Sequence, residues 1–148
     1  TLFERESAAT VLTPHPGEMS RLTGLSVAEI EADRFRIARE FAGEFGVVLV
    51  LKGARTLIAA PDGRVNINAS GNVGLASGGS GDVLTGLIGG LLAQGMDAFA
   101  AASLGCYLHG MAADQLAAVQ GYAGLKASEL LAEIPVARKR LTQGGSDA

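Results

Sequence analysis

The stretch SGNVGLASGGSGDVLTG, residues 70–86, contains six glycines and a single carboxylate in seventeen positions. Apolar residues then recur at helical spacing from Val83 to Leu92, and Gly95 ends the pattern. The glycines therefore predict a loop that leads into a helix N-terminus, where backbone N–H groups and the helix dipole favour an anion. The alternative is a turn whose glycines only permit close packing of helix on sheet, with Asp82 as an ordinary N-cap.

Strands and helices alternate on both sides of this glycine loop. Short apolar runs predict strands at 9–13 and 47–51, and a hairpin within 55–68 whose turn contains Asp62 and Gly63. Helices are expected over 17–24, 26–46, 83–95 and 97–119 and from Ser128 onward, with 142–148 as a disordered tail. The second is expected to be one continuous helix, and the fourth to be nearly buried because it is rich in Ala and poor in charge. This alternation predicts an α/β sandwich with a mainly parallel sheet, which binds ligands at the carboxyl ends of its strands.

The composition excludes several classes of protein. The chain has 148 residues, of which 48% are hydrophobic, enough for the core of one domain. It contains neither a membrane-spanning run nor a signal peptide, so the cytoplasm is the expected compartment. The single cysteine, Cys106, is expected to be buried, and no Cys or His cluster has the spacing of a metal site. A net charge of −3 argues against nucleic-acid binding.

The end of the glycine loop differs from the two common phosphate-binding motifs. A P-loop places Lys before Ser or Thr at this point, whereas this chain has Asp82, and the glycine spacing does not match a dinucleotide fingerprint. A carboxylate beside a phosphate is suited to act as a base. We therefore expect Asp82 to remove a proton from a hydroxyl that attacks a phosphoryl group held by neighbouring amides.

Three stretches in order carry a resemblance to a known family: VLTPHPGEMSRLTG (11–24), VVLVLKGARTLIAAPDGRV (47–65) and GNVGLASGGSGDVLTGLIGGLLAQG (71–95). From about residue 9 to 141 the chain resembles the ADP-dependent NAD(P)H-hydrate dehydratase family of the ribokinase-like superfamily. The resemblance implies a three-layer α/β/α fold and an enzyme, a hydro-lyase, that restores NADH or NADPH from its hydrated form. ADP, with Mg²⁺, would phosphorylate the hydroxyl of the hydrate; phosphate then leaves as the double bond re-forms, and AMP is released.

The resemblance also implies roles for individual residues. It assigns ADP or AMP binding to Lys52, Gly53, Ala54, Arg55, Thr56 and Gly81, and hydrate binding to His15 and Asp82. The anion hole is expected at the amides of Gly78, Gly79, Ser80 and Gly81, with Asp82 as the catalytic base. Glu18 either binds magnesium through water or caps a short helix, and no other metal ligand is expected. His109 is expected to be a packing residue, and Asp114 a helix-end or pairing residue.

The chain departs from the family pattern in two respects. Val73 stands where the family usually has proline, which loosens the loop without removing a reacting group. The second departure is length, because a ribokinase-like domain is about twice as long and residues 1–148 resemble only its C-terminal half. We expect the N-terminal half to be a separate segment or chain, and the isolated 1–148 piece to be insoluble or molten, because its apolar 97–119 helix needs covering. A homo-oligomer that binds small molecules, not nucleic acid or membrane, is expected.

Two alternative functions remain open at this stage. A kinase of the same superfamily, acting on a vitamin precursor or a sugar, shares the glycine and aspartate loop. Such kinases lack the combination of TPHPGE (13–18) with LKGART (51–56) that this chain contains. The other alternative is a non-catalytic nucleotide-binding half-domain.

Overall fold

One four-stranded sheet lies at the centre of the computed structural model, which describes residues 9–144. The strands are β1 (Val11–Leu12), β2 (Val48–Leu51), β3 (Leu57–Ala59) and β4 (Val65–Ile67), in the spatial order β1-β2-β3-β4. The helices are α1 (Pro16–Thr23), α2 (Val27–Ala32), α3 (Arg34–Phe45), α4 (Ser80–Ala93), α5 (Ala98–Gln120) and α6 (Ala127–Gly144), and a short 3₁₀ helix spans Val73–Ala76. Every helix among residues 9–144 is too short or insufficiently apolar to cross a bilayer.

The helices form two layers, one on each face of the sheet. Side chains alternate between the faces along a strand, so Leu49 and Leu51 of β2 pack against α1, α2 and α3. Val48 and Val50 face the opposite way and pack against α4 and α5. A third apolar cluster joins α5 to α6 through residues such as Leu108 and Leu130. The three-layer arrangement expected from the resemblance is present in this chain.

The sheet is mixed, and the expectation of mainly parallel pairing is wrong for these four strands. β1 pairs with β2 in parallel, whereas β2 with β3 and β3 with β4 pair antiparallel. The connections from β2 to β3 and from β3 to β4 span only five residues each, and a parallel crossover needs a dozen or more. The hairpin predicted for β3 and β4 is confirmed. Only β3 is reversed, so β1, β2 and β4 all end at the same edge of the sheet.

The helix expected over 26–46 is two helices that meet at Asp33. The backbone of Asp33 has φ −147° and ψ 56°, which ends α2, and its carboxylate then accepts a hydrogen bond from the N–H of Arg36. Aspartate competes for backbone N–H groups in this way and therefore favours helix N-termini over helix interiors. The correction matters because the break places Arg34 in the first turn of α3.

The C-terminal helices agree with expectation in part. As expected, α5 is buried or half-buried over most of its length, because the sheet, α4 and α6 pack against it; between Ala98 and Ala117 the exposed residues are Tyr107 and Asp114. Residues 142–144 belong to α6 and not to a tail, since the hydroxyl of Thr142 donates to the carbonyls of Arg138 and Lys139; residues 145–148 lie outside the described part. Cys106 is buried as expected, and burial raises the pKa of its thiol to about 12.

Candidate functional site

Three loops meet where β1, β2 and β4 end. The loop after β1 contains His15, the loop after β2 is 52–56, and the glycine loop of 68–79 follows β4. A hydrogen bond of 2.9 Å from the Lys52 N–H to the Pro14 carbonyl joins the first two loops. The predicted site residues of all three segments therefore lie at one edge of the sheet.

The first turn of α4 presents free backbone donors. Gly79 is the N-cap, with φ +84°, a conformation that glycine adopts without strain. The N–H of Ser80 donates to the Ser77 carbonyl and the N–H of Asp82 donates to the Gly79 carbonyl, so these two amides are occupied. Within residues 9–144 the N–H groups of Gly78, Gly79 and Gly81 have no acceptor. The predicted anion hole thus has three available donors, and Ser80 does not contribute its own.

The side chain of Lys52 reaches the start of α4. A Cβ atom added to Gly81 would lie 3.1 Å from the Lys52 Nζ, so the ammonium group lies directly against this glycine. The Lys52 Nζ is also 3.6 Å from Glu18 Oε2, and 24% of the Lys52 side chain is exposed. A positive charge therefore accompanies the free amides, although the two segments are far apart in sequence.

Glu18 and His15 form the N-terminal cap of α1. The Nδ1 of His15 accepts from the N–H groups of Gly17 and Glu18, while Glu18 Oε2 accepts from the His15 N–H at 2.7 Å. That backbone hydrogen bond is the main cause that lowers the pKa of Glu18, and Lys52 lowers it further. The capping role considered for Glu18 is thus present. No group of three or more potential metal-binding side chains occurs in the described part of the chain.

Asp82 is the third residue of α4, so it is not the N-cap that the alternative reading required. Its side chain is exposed and has no hydrogen-bond partner within residues 9–144. A carboxylate in a first helical turn is favoured by the dipole, and here it is also free to contact a ligand. Asp82 and Gly81 are adjacent in the chain, so the carboxylate and the anion-binding amides belong to the same turn.

A buried histidine, His109, contacts the first turn of α4. His109 of α5 is 5% exposed, and its Nε2 lies 3.0 Å from the Ser80 carbonyl oxygen and 3.4 Å from the Ser80 hydroxyl. A carbonyl oxygen only accepts, so Nε2 carries the hydrogen and donates. His109 is therefore a packing residue, as expected, and it also links α5 to the first residue of α4.

We expect this histidine to make stability fall below neutral pH. Burial lowers the pKa of His109 from its ordinary 6.5, and the nearby charge of Lys52 lowers it further. The unfolded chain then takes up a proton before the folded one does, so the free energy of unfolding decreases as pH falls below about 6.5. Denaturant unfolding at pH 7.5 and 5.5 should show this loss in the wild type and much less of it in His109→Gln. An equal loss in both proteins would contradict the assignment.

Asp114 has a role that the sequence did not reveal. Its carboxylate accepts hydrogen bonds of 2.8 Å from the Gly71 N–H and from the Asn72 side-chain amide, and thereby fixes the glycine loop to α5. The Ser70 hydroxyl adds a bond to the Tyr107 carbonyl. Asp114 was predicted to be a helix-end or pairing residue; it pairs with a loop 43 residues away, and sequence spacing carries no signal for such a partner.

Arg34 is the second residue that the sequence did not identify. Its guanidinium donates to the carbonyls of Leu51, Lys52 and Ala54, directly under the loop of 52–56. Gly53, Ala54 and Arg55 are exposed above it, and Thr56 closes the loop by donating from its hydroxyl to the Gly53 carbonyl. The usable signal in the sequence would have been Asp33, because a helix break there determines where Arg34 lies.

Comparison with known proteins identifies close relatives. The sequence profile of the NAD(P)H-hydrate dehydratase family matches residues 1–136. The chain is 53% identical over 133 residues to a bifunctional NAD(P)H-hydrate repair enzyme of Moorella thermoacetica; the match covers 90% of this chain and 25% of that protein. The chain thus spans only a part of the length of this relative.

Solved structures support the same grouping. The crystal structure of the ADP/ATP-dependent NAD(P)H-hydrate dehydratase of Bacillus subtilis, co-crystallized with ATP and Mg²⁺ and soaked with CoA, superposes with a TM-score of 0.90 at 40% identity, covering 93% of this chain and 51% of that one. A ribokinase-like superfamily protein of Enterococcus faecalis gives a TM-score of 0.71 at 34% identity, covering 87% and 44%. The fold is therefore ribokinase-like, and the chain spans about half of each solved relative.

Proposed function

The chain belongs to the NAD(P)H-hydrate dehydratase family, and from this premise we propose that, with the rest of its domain, it catalyses the ADP-dependent dehydration of hydrated NADH or NADPH. The observation that carries the proposal is the first turn of α4. There the Gly81 amide and the Asp82 carboxylate, neither of which has a partner within residues 9–144, lie together with the ammonium of Lys52. An anion-binding turn with a base beside it suits phosphoryl transfer to a hydroxyl.

In this proposal ADP lies between the loop of 52–56 and the glycine loop. The amides of Gly78, Gly79 and Gly81 and the Lys52 ammonium bind its phosphates, and exposed atoms of Gly53, Ala54, Arg55 and Thr56 contact the rest of the nucleotide. Backbone N–H groups at a helix N-terminus are well suited to hold phosphate, and the Lys52 ammonium adds a positive charge directly beside the Gly81 amide. His15 lies on the neighbouring loop and contacts the hydrate.

The chemistry assigned to Asp82 is removal of a proton. The hydroxyl of the hydrate gives its proton to the carboxylate and bonds to the β-phosphorus, while the bond from that phosphorus to the bridging oxygen breaks and AMP leaves. The carbon–oxygen bond of the phosphorylated intermediate then breaks, inorganic phosphate departs, and loss of a proton from the neighbouring carbon forms the double bond. Within residues 9–144 the exposed Asp82 carboxylate has no ion-pair or hydrogen-bond partner, so it is free to take this proton.

Magnesium fits this site as an ion that arrives with the nucleotide. Mg²⁺ keeps several waters and is usually bound by one or two carboxylates together with substrate phosphates. Glu18 Oε2 is engaged by the His15 N–H and Lys52, whereas Oε1 lies 3.5 Å from His15 Nε2, and 43% of the Glu18 side chain is exposed. We assign Glu18 to the ion through water, and the ion would neutralise phosphate charge.

The proposal includes an N-terminal companion segment that completes the domain. Because α4 and α6 already cover α5, the support for a companion is the outer edge of β1, which no other strand of residues 9–144 pairs with. A shallow cavity of about 370 Å³ adjoins that edge and is lined by residues including Leu12, Thr13 and Leu22. Such an edge is normally paired or covered. Copurification of an N-terminal segment with residues 1–148 tests for the companion.

We also expect the protein to be a homo-oligomer and to lie in the cytoplasm.

The test of the proposed function uses the full-length gene product and hydrated NADH or NADPH. Addition of ADP should restore the absorbance of the reduced nicotinamide and release AMP and phosphate in equal amounts. Phosphorylation of a vitamin precursor or sugar with no dehydration would instead identify the kinase alternative. Nucleotide binding without either reaction would identify a binding module and contradict the proposal.

A further inference from the structure

Arg34 lies beneath the loop of 52–56, which we call the Lys52 loop, and contacts its main chain. One terminal nitrogen donates to the Ala54 carbonyl at 2.9 Å, and the other donates to the carbonyls of Leu51 and Lys52 at 3.1 and 3.2 Å. The side chain is 14% exposed. A single guanidinium thus binds two carbonyl groups of the loop and the carbonyl of Leu51, the last residue of β2.

The local sequence explains why this arginine turns inward. The helix break at Asp33 makes Arg34 the first residue of α3, and the Asp33 carboxylate is taken by Arg36 at 2.6 Å. The one carboxylate near Arg34 among the described residues is Glu31, at 3.9 Å and on the exposed side. The guanidinium is therefore left to bond carbonyl oxygens, and its planar set of donors suits several acceptors at once.

The orientation of these carbonyls determines the direction of the neighbouring amides. In a trans peptide the C=O and the following N–H point in opposite directions. With the Lys52 and Ala54 carbonyls directed at Arg34, the N–H groups of Gly53 and Arg55 point away from it. Neither N–H has an acceptor within residues 9–144. The guanidinium thus leaves two donors of the Lys52 loop available on the opposite side.

The loop conformation depends on close contact with this guanidinium. A Cβ atom on Gly53 would lie 2.7 Å from an Arg34 terminal nitrogen, and Gly53 has φ +147°. Arg55 also has a positive φ, of 57°, which is uncommon for a residue with a side chain. Such a conformation persists only where surrounding contacts impose it, and the three bonds from Arg34 are contacts of this kind.

We propose that Arg34 is a positioning residue, which shapes the Lys52 loop for the diphosphate-bearing nucleotide without touching the nucleotide. The inference rests on the proposed function in placing ADP at this loop. It goes further in assigning nucleotide affinity to a residue of α3 that faces the main chain of the loop from behind. The arginine acts on the nucleotide by preorganising the amides of Gly53 and Arg55.

The test compares Arg34→Gln with Arg39→Gln in the full-length gene product. Arg39 is an exposed arginine of the same helix that contacts the Phe35 ring and not the loop. In calorimetric titrations with ADP, Arg34→Gln should raise the dissociation constant at least about 10-fold, because loop ordering is then added to the cost of binding. Arg39→Gln should stay within about twofold. Arg34→Lys should recover little, since one ammonium does not reproduce the planar fork.

Two further measurements separate positioning from a general loss of stability. The KM for ADP should rise while the KM for the hydrate stays the same, and the amides of 53–55 should exchange hydrogen faster in Arg34→Gln but not in Arg39→Gln. Gly53→Ala keeps the arginine and displaces it, so it should weaken ADP binding similarly, and the double variant should bind little worse than either single variant. If Arg34→Gln does not fold, Arg34→Lys takes its place in the titrations, and wild-type ADP affinity in Arg34→Lys overturns the inference.

The outcomes distinguish this inference from the proposed function. A wild-type protein that binds ADP but does not dehydrate the hydrate contradicts the function alone, and the ADP titrations still test Arg34. Unchanged ADP affinity in Arg34→Gln or in Gly53→Ala overturns the inference, as does an equal rise in both KM values. A wild-type protein that binds neither ADP nor AMP overturns both.

Discussion

Replacement of Asp82 by asparagine is expected to lower kcat by about 10²–10⁴, the usual contribution of a general base, while ADP affinity and folding change little. Asparagine has nearly the same shape as aspartate but does not accept the proton of the attacking hydroxyl. The side chain of Asp82 is exposed and forms no hydrogen bond within residues 9–144, so its replacement disrupts no contact there. Loss of a negative charge from the first turn of α4 costs about 0.3–1 kcal/mol of stability.

The measurement is steady-state kinetics of the full-length gene product, together with ADP titration. Glu44→Gln is the matched control, because Glu44 is an exposed carboxylate near the end of α3, away from the site. That variant should have wild-type turnover. Near-normal turnover in Asp82→Asn, or a loss of ADP affinity that accounts for the whole decrease in rate, would show that Asp82 is not the base.

Replacement of Gly110 by alanine is expected to displace the glycine loop. A Cβ atom at this position in α5 would meet the Ser70 hydroxyl and would also lie 2.6 Å from the Ser70 carbonyl carbon and 2.7 Å from the Gly71 nitrogen, two backbone atoms that no side-chain rotation can move away. Overpacking of this kind costs about 1–3 kcal/mol. The displaced segment is the one that Asp114 anchors before it reaches Gly78 and Gly81. Because misplacement by about 1 Å can cost 10²-fold in rate, we expect kcat to fall about 10–100-fold.

Gly89→Ala is the control for this variant. Gly89 is exposed in α4, and an added Cβ there meets nothing within 4 Å among the described residues. The change should leave kcat unaltered and stabilise the helix by about 0.5–1 kcal/mol. Thermal unfolding and kinetics of the two variants provide the comparison. If Gly110→Ala behaves like Gly89→Ala in both measurements, the loop does not depend on this close approach.

Much of the fold could be predicted because it depends on local patterns. The buried strand β2 follows from the run VVLVL, the hairpin from Asp62 and Gly63, and the start of α2 from the capping box of Ser26 and Glu29. The length of the helix after Ser26 could not be predicted from periodicity, because one capping residue, Asp33, interrupts an otherwise continuous apolar stripe. The direction of β3 follows from the length of its connections, which the strand pattern does not include.

The sequence by itself determined the family, the glycine loop and the adjacency of Gly81 and Asp82, because each is a matter of neighbouring residues and short spacings. Only the tertiary structure decided which groups are free to act. It brings Lys52 to Gly81 and Glu18 and occupies the amides of Ser80 and Asp82, while the Gly81 amide has no acceptor among the residues that the structure describes. It also brings Arg34 to the Lys52 loop, 18 residues away, and Asp114 to the glycine loop, 43 residues away. The physical reason is that a charged side chain or an amide has many possible partners of equal chemistry along a chain, and only packing determines which of them comes within hydrogen-bond distance.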